Sequence, residues 1–372
     1  MGIPFNSPHV FGEENTHVQD VIANGNIAGN GKYTRECHDF FKSELGFKHC
    51  LLTNSCTAAL EMAAILLDIK PGDEVIVPSY GYVTTANAFV LRGAKLVFAD
   101  ASKDSPNIDT SLLPSLITDN TKAIVVMHYG GVAINMDFVM ELANSRNIFV
   151  VEDAAHCIDA YYKNKHLGSI GHLGTISFHS TKNITSGHGG LLIVNDDRFI
   201  ERSKVIWQKG TDKSRFDEGE QDYYKWVDIG SSFFPSELTA AYLYGQIQHI
   251  TTVTKARLNL WNHYAVKIAE YGIHGVPYIP EYCTHNGHIF YLKAKSQEER
   301  DLIITEFKKL EIGVCSHYLS LCESEYISDA HKLPQSHMWQ NCLVRFPMFY
   351  DLSVNEIDSI IHLLYKILNL DQ

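Results

Sequence analysis

The chain has 372 residues, which at roughly 150 per domain fits two or three domains, or one large α/β unit with a smaller appendage. Hydrophobic residues make up 45% and charged residues 20%, so a packed core is available and disorder of the whole chain is excluded. Lys and Arg total 31 against 43 Asp and Glu, and the net charge of -12 excludes general nucleic-acid binding while leaving a local phosphate pocket allowed.

The opening MGIPFNSPHV has no basic region leading into an apolar one, and no stretch reaches about 18 unbroken apolar residues. No secretory leader and no membrane span are therefore expected, and a cytoplasmic location is the default. Asn6 stands where a myristoylation motif needs Ser or Thr. The segment NGNIAGNGKYT resembles a P-loop, but five residues separate Gly25 from Gly31, and Tyr33 stands where the Mg²⁺-binding hydroxyl belongs. It also lacks the third glycine and preceding strand of a dinucleotide fingerprint, so a plain turn or loop is the better account.

From residue 49 onward, β-branched runs alternate with helical patterns. Strands are predicted at 49–52, 74–78, 95–98, 123–127, 148–152, 175–178 and 191–194, as near-continuous apolar runs buried on both faces. Helices are predicted at 57–67 after a Ser55 cap, at 84–91 and at 136–146. This rhythm implies an α/β fold with a mostly parallel sheet. After about residue 235 a long helical stretch, 237–270, leads into a strand at 288–293, an amphipathic helix at 298–310 and a closing helix at 354–368. We read residues 1–250 as a large α/β domain and 251–372 as a smaller α+β domain. The Pro/Gly-rich segment 272–280 is a connector or an ordinary loop.

The eight cysteines are scattered without CxxC pairs, as expected for reduced thiols. Cys283, His285 and His288 lie close together in CTHNGH, but no fourth ligand follows at finger spacing and Asn-Gly reads as a hairpin turn, so no metal is expected.

Three features point to chemistry. The 49–52 strand runs into NSCTAALEMA, placing Ser55, Cys56 and Thr57 at a helix N-terminus, where free N–H groups favour a phosphate, though a simple cap would look the same. The apolar strand IFVVE ends in Asp153, a carboxylate that is costly at a strand end without a cation. In TISFHSTKNITSGHGG a strand yields to a polar turn with Lys182, whose amine could form an imine and later act as a base, although most lysines are simply solvated. Together, anion seat, strand-end Asp and loop Lys are the parts of a pyridoxal phosphate site.

At this point the motifs PSYGYVTTANAFVLRGAKLVFAD, VVEDAAH and SFHSTKN resemble the DegT/DnrJ/StrS sugar-nucleotide aminotransferases, from the N-terminal IPFN to FPMFYDLS near the end. Within that family the likeness is closest to transaminases acting on dTDP-4-keto-6-deoxyglucose. The resemblance implies a fold-type-I aminotransferase, a large mostly parallel-sheet domain with a smaller C-terminal one, and a homodimer with active sites at the interface. It makes Lys182 the imine-forming lysine, Asp153 the pyridinium partner, His156 a contact to the cofactor hydroxyl and Tyr82 the stacking ring. It assigns Cys56, Thr57 and Ser177 to the phosphate.

Three positions depart from the family pattern: His156 for Gln, His188 for Glu in a GEGG turn, and Ser232 for the asparagine a neighbouring subunit adds to the phosphate. His317, Tyr318 and Arg345 match segments near the sugar nucleotide. Implied are a pyridoxal phosphate cofactor, its pyridoxamine form (PMP) in the second half-reaction, L-glutamate as donor with 2-oxoglutarate as product, and a dTDP-keto-deoxy sugar as acceptor. The product would be a dTDP-4-amino-4,6-dideoxyhexose for O-antigen or another surface polysaccharide, such as lipopolysaccharide. The alternatives are a 3-aminotransferase, a dehydratase of the same fold, which Lys182 argues against, and a non-enzymatic regulator.

Overall fold

A computed structural model describes residues 2–327 and 333–369. Twelve strands run in chain order: β1 (Cys50–Thr53), β2 (Glu74–Pro78), β3 (Lys95–Ala99), β4 (Thr121–Met127), β5 (Phe149–Asp153), β6 (Tyr161–Tyr162), β7 (Lys165–His166), β8 (Leu173–Ser177), β9 (Gly190–Val194), β10 (Cys283–Thr284), β11 (Tyr291–Lys293) and β12 (Leu343–Arg345). The main sheet has seven strands in the order β1, β9, β8, β5, β4, β2, β3. Strands β3, β2, β4, β5 and β8 are mutually parallel, and only β9 runs against its neighbours.

Strand parity assigns the two faces. Ile76, Ile124 and Val126 enter one apolar layer with helices Lys32–Leu45, Met136–Arg146 and Glu237–Ile247, while Val75, Val77, Ala123 and Val125 enter the other with Cys56–Leu66 and Thr84–Val90. Both faces are covered, which is why the strands read as unbroken apolar runs. A third core gathers Ile3 with Trp261, Tyr264, Phe307, Phe346 and Ile360 around the β11–β12 pair. Ile3 also bridges Ile312, so the chain's first residues lie against the C-terminal unit.

Some elements differ from the sequence reading. The helical stretch 237–270 is two helices, Glu237–Ile247 and Ile250–Glu270, because His249 leaves the helix to stack on Phe11 with ring centroids 3.8 Å apart. The strand expected at 288–293 is shortened to β11, since Arg257 takes the carbonyls of Gly287 and His288 and Trp261 that of Ile289. Asn286-Gly287 is no hairpin: β10 pairs with β6, and β11 pairs with β12.

The P-loop-like segment is the turn between helices Glu13–Asn24 and Lys32–Leu45. The anion at its glycines is the protein's own. Glu237, only 2% exposed, accepts from the backbone N–H groups of Gly31 at 2.8 Å, Tyr33 at 2.9 Å and Thr34 at 3.2 Å, and from the Thr34 hydroxyl. A remote carboxylate thus caps the helix dipole. A Cβ on Gly31 would lie 2.7 Å from the Glu237 carboxyl carbon, so only glycine fits.

Glu237→Ala leaves four buried donors unsatisfied and is expected to lower unfolding free energy by about 3 kcal/mol, with Glu237→Gln costing less. Denaturant titration checks this; a loss under about 1 kcal/mol for the Ala variant would mean the cap contributes little.

Candidate active site

Because β2, β4, β5 and β8 are parallel, the segments leaving their carboxyl ends emerge on one edge of the sheet. They carry Tyr82, Tyr129, Asp153, His156, Ser177 and Lys182. Facing them is helix Cys56–Leu66, whose N-cap Ser55 accepts from Ala58 N–H at 3.0 Å. The Cys56 and Thr57 N–H groups, the first two of the helix, have no acceptor within it. Gly190 lets β9 pass this turn, since a Cβ there would fall 2.4 Å from Cys56 N. Ser177, at the end of β8, is 7% exposed and pairs with Gly190.

Asp153 is 4% exposed. Thr85 donates its hydroxyl to Oδ2 at 2.5 Å and Ala155 its N–H to Oδ1 at 3.2 Å, and among the described residues no cation forms an ion pair with it. Burial raises its pKa, against the lowering effect of these hydrogen bonds and of the more distant Lys182 charge. A buried carboxylate without a cationic partner fits a protonated pyridine nitrogen.

Lys182 sits in the turn after β8, its N–H bonded to His179 O at 2.9 Å. Burial lowers its pKa to about 8, with Arg345 adding to the effect and Cys56 and Asp153 opposing it. Asn6, from the N-terminal segment, donates to Ser180 O at 3.1 Å and lines a cavity shared by Lys182, Asn183 and Arg257.

His156 is 6% exposed, and burial holds its pKa well below the usual value, so the ring is neutral. Its Nδ1 accepts from Gly130 N–H at 3.1 Å, which places the proton on Nε2, 3.4 Å from the Tyr318 hydroxyl. The ring presents a donor to the chamber, a role glutamine's amide can also fill. Tyr82 is 55% exposed, with its ring 5.8 Å from that of Tyr318. His317 has Nδ1 3.0 Å from Arg345 Nη1, and its carbonyl accepts from Tyr129 at 3.0 Å and also from Tyr80.

Two predicted residues stand apart. His188 is exposed, its ring 5.9 Å from that of His179. The Ser232 carbonyl accepts from Asn54 at 3.2 Å, but its side chain is exposed and its hydroxyl has no partner among the described residues.

Sequence reading missed Thr85, signalled only by the Thr-Thr opening a helix, and a clamp from the C-terminal unit. Asn286 donates to His156 O at 2.9 Å and Ile158 O at 2.7 Å, while His288 Nδ1 lies 2.8 Å from Asn183 Oδ1, beside Lys182. The CTHNGH segment thus ties the C-terminal unit to the site, and Ala133 N–H donates to Cys283 Sγ at 3.2 Å. All eight cysteines are free.

The family model for the DegT/DnrJ/EryC1/StrS aminotransferases matches residues 9–365. The chain belongs to this family. It is 28% identical over 371 residues to the spore coat polysaccharide biosynthesis protein SpsC of Bacillus subtilis, covering 96% of this chain and 95% of that one. Among solved structures it is similar to Spr1654 of Streptococcus pneumoniae, assigned as a sugar aminotransferase, in its PMP form: 25% identity, all of both chains covered and a TM-score of 0.91. Helicobacter pylori PseC, an aminotransferase of pseudaminic acid biosynthesis, shares the fold at 22% identity, 99% of each chain and a TM-score of 0.91.

The protein is thus a pyridoxal phosphate-dependent sugar aminotransferase with the fold-type-I architecture expected. Among the described residues no helix is long and apolar enough to cross a membrane.

The lowered Lys182 pKa sets a pH window. The amine is cationic below about 8 and a free nucleophile above it, so about a tenth is neutral at pH 7, far more than for a solvated lysine. Competitive reductive methylation of the cofactor-free enzyme, read by peptide mass spectrometry, should give Lys182 a midpoint near 8; a midpoint above about 10 would show a solvated amine.

Proposed function

We propose that the enzyme transfers an amino group from L-glutamate to C4 of dTDP-4-keto-6-deoxyglucose, yielding a dTDP-4-amino-4,6-dideoxyhexose for a surface polysaccharide. One observation carries the site assignment: a buried Asp153 without a cation and a half-buried Lys182 with a weakened hold on its proton face one edge beside a helix N-terminus. The motif resemblance to dTDP-4-keto-6-deoxyglucose transaminases supports the substrate, and the similarity to SpsC, a spore coat polysaccharide biosynthesis protein, supports the destination.

In this reading the cofactor supplies an electron sink for a carbanion at the reacting carbon. Asp153 would hold a proton on the ring nitrogen, with Thr85 holding Asp153 in place. His156 Nε2–H would serve the ring hydroxyl, Tyr82 would cover the ring face, and Cys56, Thr57 and Ser177 would hold the phosphate. Lys182 Nζ would take the proton from the donor carbon and, in the reverse sense, return one to the sugar carbon. A pKa near neutrality suits an amine that must both take and return a proton. Ser232, with exposed Tyr223 and Trp226 on the same segment, would meet a second subunit. A homodimer buries these rings and brings the serine to the neighbouring phosphate.

Incubation with glutamate and a panel of keto-sugar nucleotides, followed by NMR, tests the substrate. Amination at C4 is expected, with a small H3–H4 coupling for the axial amine and a large one for the equatorial. Turnover restricted to a 3-keto isomer would defeat the C4 assignment.

Asp153→Asn should keep bound cofactor yet lose turnover by about 100-fold or more, because a neutral amide no longer holds the ring proton. Near wild-type rates would make Asp153 a structural residue. Borohydride reduction of the loaded enzyme should fix the cofactor on Lys182, and a label on any other lysine would sink the assignment.

A further inference from the structure

Residues 3–9 run as a strap between the two units. At one end Gly313 N–H donates to Ile3 O at 2.8 Å, and the close approach of Phe5 N leaves no room for a Cβ at position 313. The Phe5 ring meets that of His317 edge-on at 6.2 Å and lies 5.1 Å from the Arg345 guanidinium. At the other end His9 Nδ1 is 2.8 Å from Asp351 Oδ2, and the His9 ring packs against those of Phe11 and Tyr350, with centroids 4.6 and 4.5 Å away. Both ends are fixed, and Asn6 stands between them.

Asn6 Nδ2 donates to Ser180 O at 3.1 Å across 174 positions of sequence. Ser180 belongs to the turn that carries Lys182, in which Ser180 N–H donates to Gly187 O at 3.0 Å and Lys182 N–H to His179 O at 2.9 Å. A second tie reaches the same turn through Gln246, whose Nε2 donates to His9 O at 2.8 Å while its Oε1 accepts from Thr185 N–H at 3.4 Å. On the other side of the lysine, Asn183 is held by Asn286 O and His288. Asn6 lines one small cavity with Thr181 and His288 and another with Lys182.

A lysine that takes a proton from one carbon and returns one to another needs a free arm on a fixed backbone, because misplacing a reacting group by about 1 Å can cost about 100-fold in rate. The β8–β9 ladder ends at the Ser177–Gly190 pair, so residues 178–189 depend on other contacts for their placement. We propose that Asn6 is a positioning residue for Lys182: its amide holds the carbonyl two residues before the reactive amine, and the 3–9 strap thereby forms part of the active-site wall. The inference rests on the aminotransferase reading above. A neutral donor to a carbonyl adds no charge beside the lysine, so Asn6 acts through backbone placement alone.

Asn6→Ala and Asn6→Gln are compared with the wild type in steady-state rates of the loaded enzyme, in reductive methylation of Lys182 in the cofactor-free enzyme, and in denaturant midpoint. Asn6→Ala should lower kcat about 10- to 100-fold, with KM for both substrates changed by under about threefold. The Lys182 midpoint should rise from about 8 toward the solvated value of about 10, because a loosened turn admits water to the amine. Asn6→Gln keeps the donor on a longer arm and should recover much of both, and the denaturant midpoint should move little, since one half-buried hydrogen bond is lost. An Ala variant with unchanged kcat and Lys182 still titrating near 8 would overturn the proposal. A raised KM at constant kcat would make Asn6 a substrate contact, and activity lost in step with a lowered denaturant midpoint, with Lys182 still near 8, would make it a structural residue; either result overturns the proposal too. A wild-type enzyme that reacts with no amino acid brings down the aminotransferase reading instead, while the methylation comparison still decides the role of Asn6.

Discussion

Two adjacent carboxylates on β5, both buried, have opposite situations, and that contrast governs the site. Glu152 is fully buried and accepts from the N–H groups of Gly168, Ile170 and Gly171 at 2.6 to 2.9 Å, with His128 Nε2 at 3.0 Å. Although burial works against it, this set of donors holds its pKa below the usual range. Asp153, one residue on and facing the other way, has a hydroxyl and one N–H, and burial wins. Two residues of the same chemistry thus divide their work: Glu152 ties the 168–171 loop under the sheet, while Asp153 retains an unmet demand for positive charge.

The linkage signs differ accordingly. A depressed Glu152 pKa contributes stability that is present above the unfolded-state value and lost as pH falls through the folded one. For Asp153 the raised pKa means that ionisation costs stability as pH rises past the unfolded value. Lys182 behaves as its mirror: its lowered pKa favours the neutral amine, and keeping it charged below about pH 8 costs stability. Neither cost is met inside the chain. A ligand with a cationic ring and an electrophilic carbon would meet both, so under the proposed assignment cofactor binding and stability would be coupled through these two residues.

Much of this was legible in the sequence because it depends on local pattern. The main-sheet strands declared themselves as apolar runs, and Asp153, Lys182 and the Ser55 cap each stand where a strand stops or a helix starts. Tyr82 and His156 became interpretable only through family likeness, since an aromatic or a histidine at a strand end has ordinary explanations. What stayed hidden was long-range. The Glu237 cap joins residues more than 200 apart, and nothing around Glu237 distinguishes it from a helix's first acidic residue. The break at His249 interrupts no periodicity, because its cause is Phe11. In CTHNGH the residue types suggested ligands, yet Asn286, which looked like turn chemistry, is fully buried and bonded to carbonyls 128 and 130 positions away.

That clamp explains why a site built on sheet edges needs the C-terminal unit. His156 and Asn183 come from the sheet side, but Asn286 holds the carbonyl behind the one and His288 the amide of the other, while Arg257 fixes the carbonyls of Gly287 and His288. The order of dependence runs from Arg257, buried on helix Ile250–Glu270, through the 286–288 turn, to His156 and the residue after Lys182. Arg257 spends its charge on carbonyl dipoles; burial and the Arg345 charge lower its pKa. Because the C-terminal unit holds both the carbonyl of His156 and the side chain of Asn183, it is part of the site rather than a cover over it.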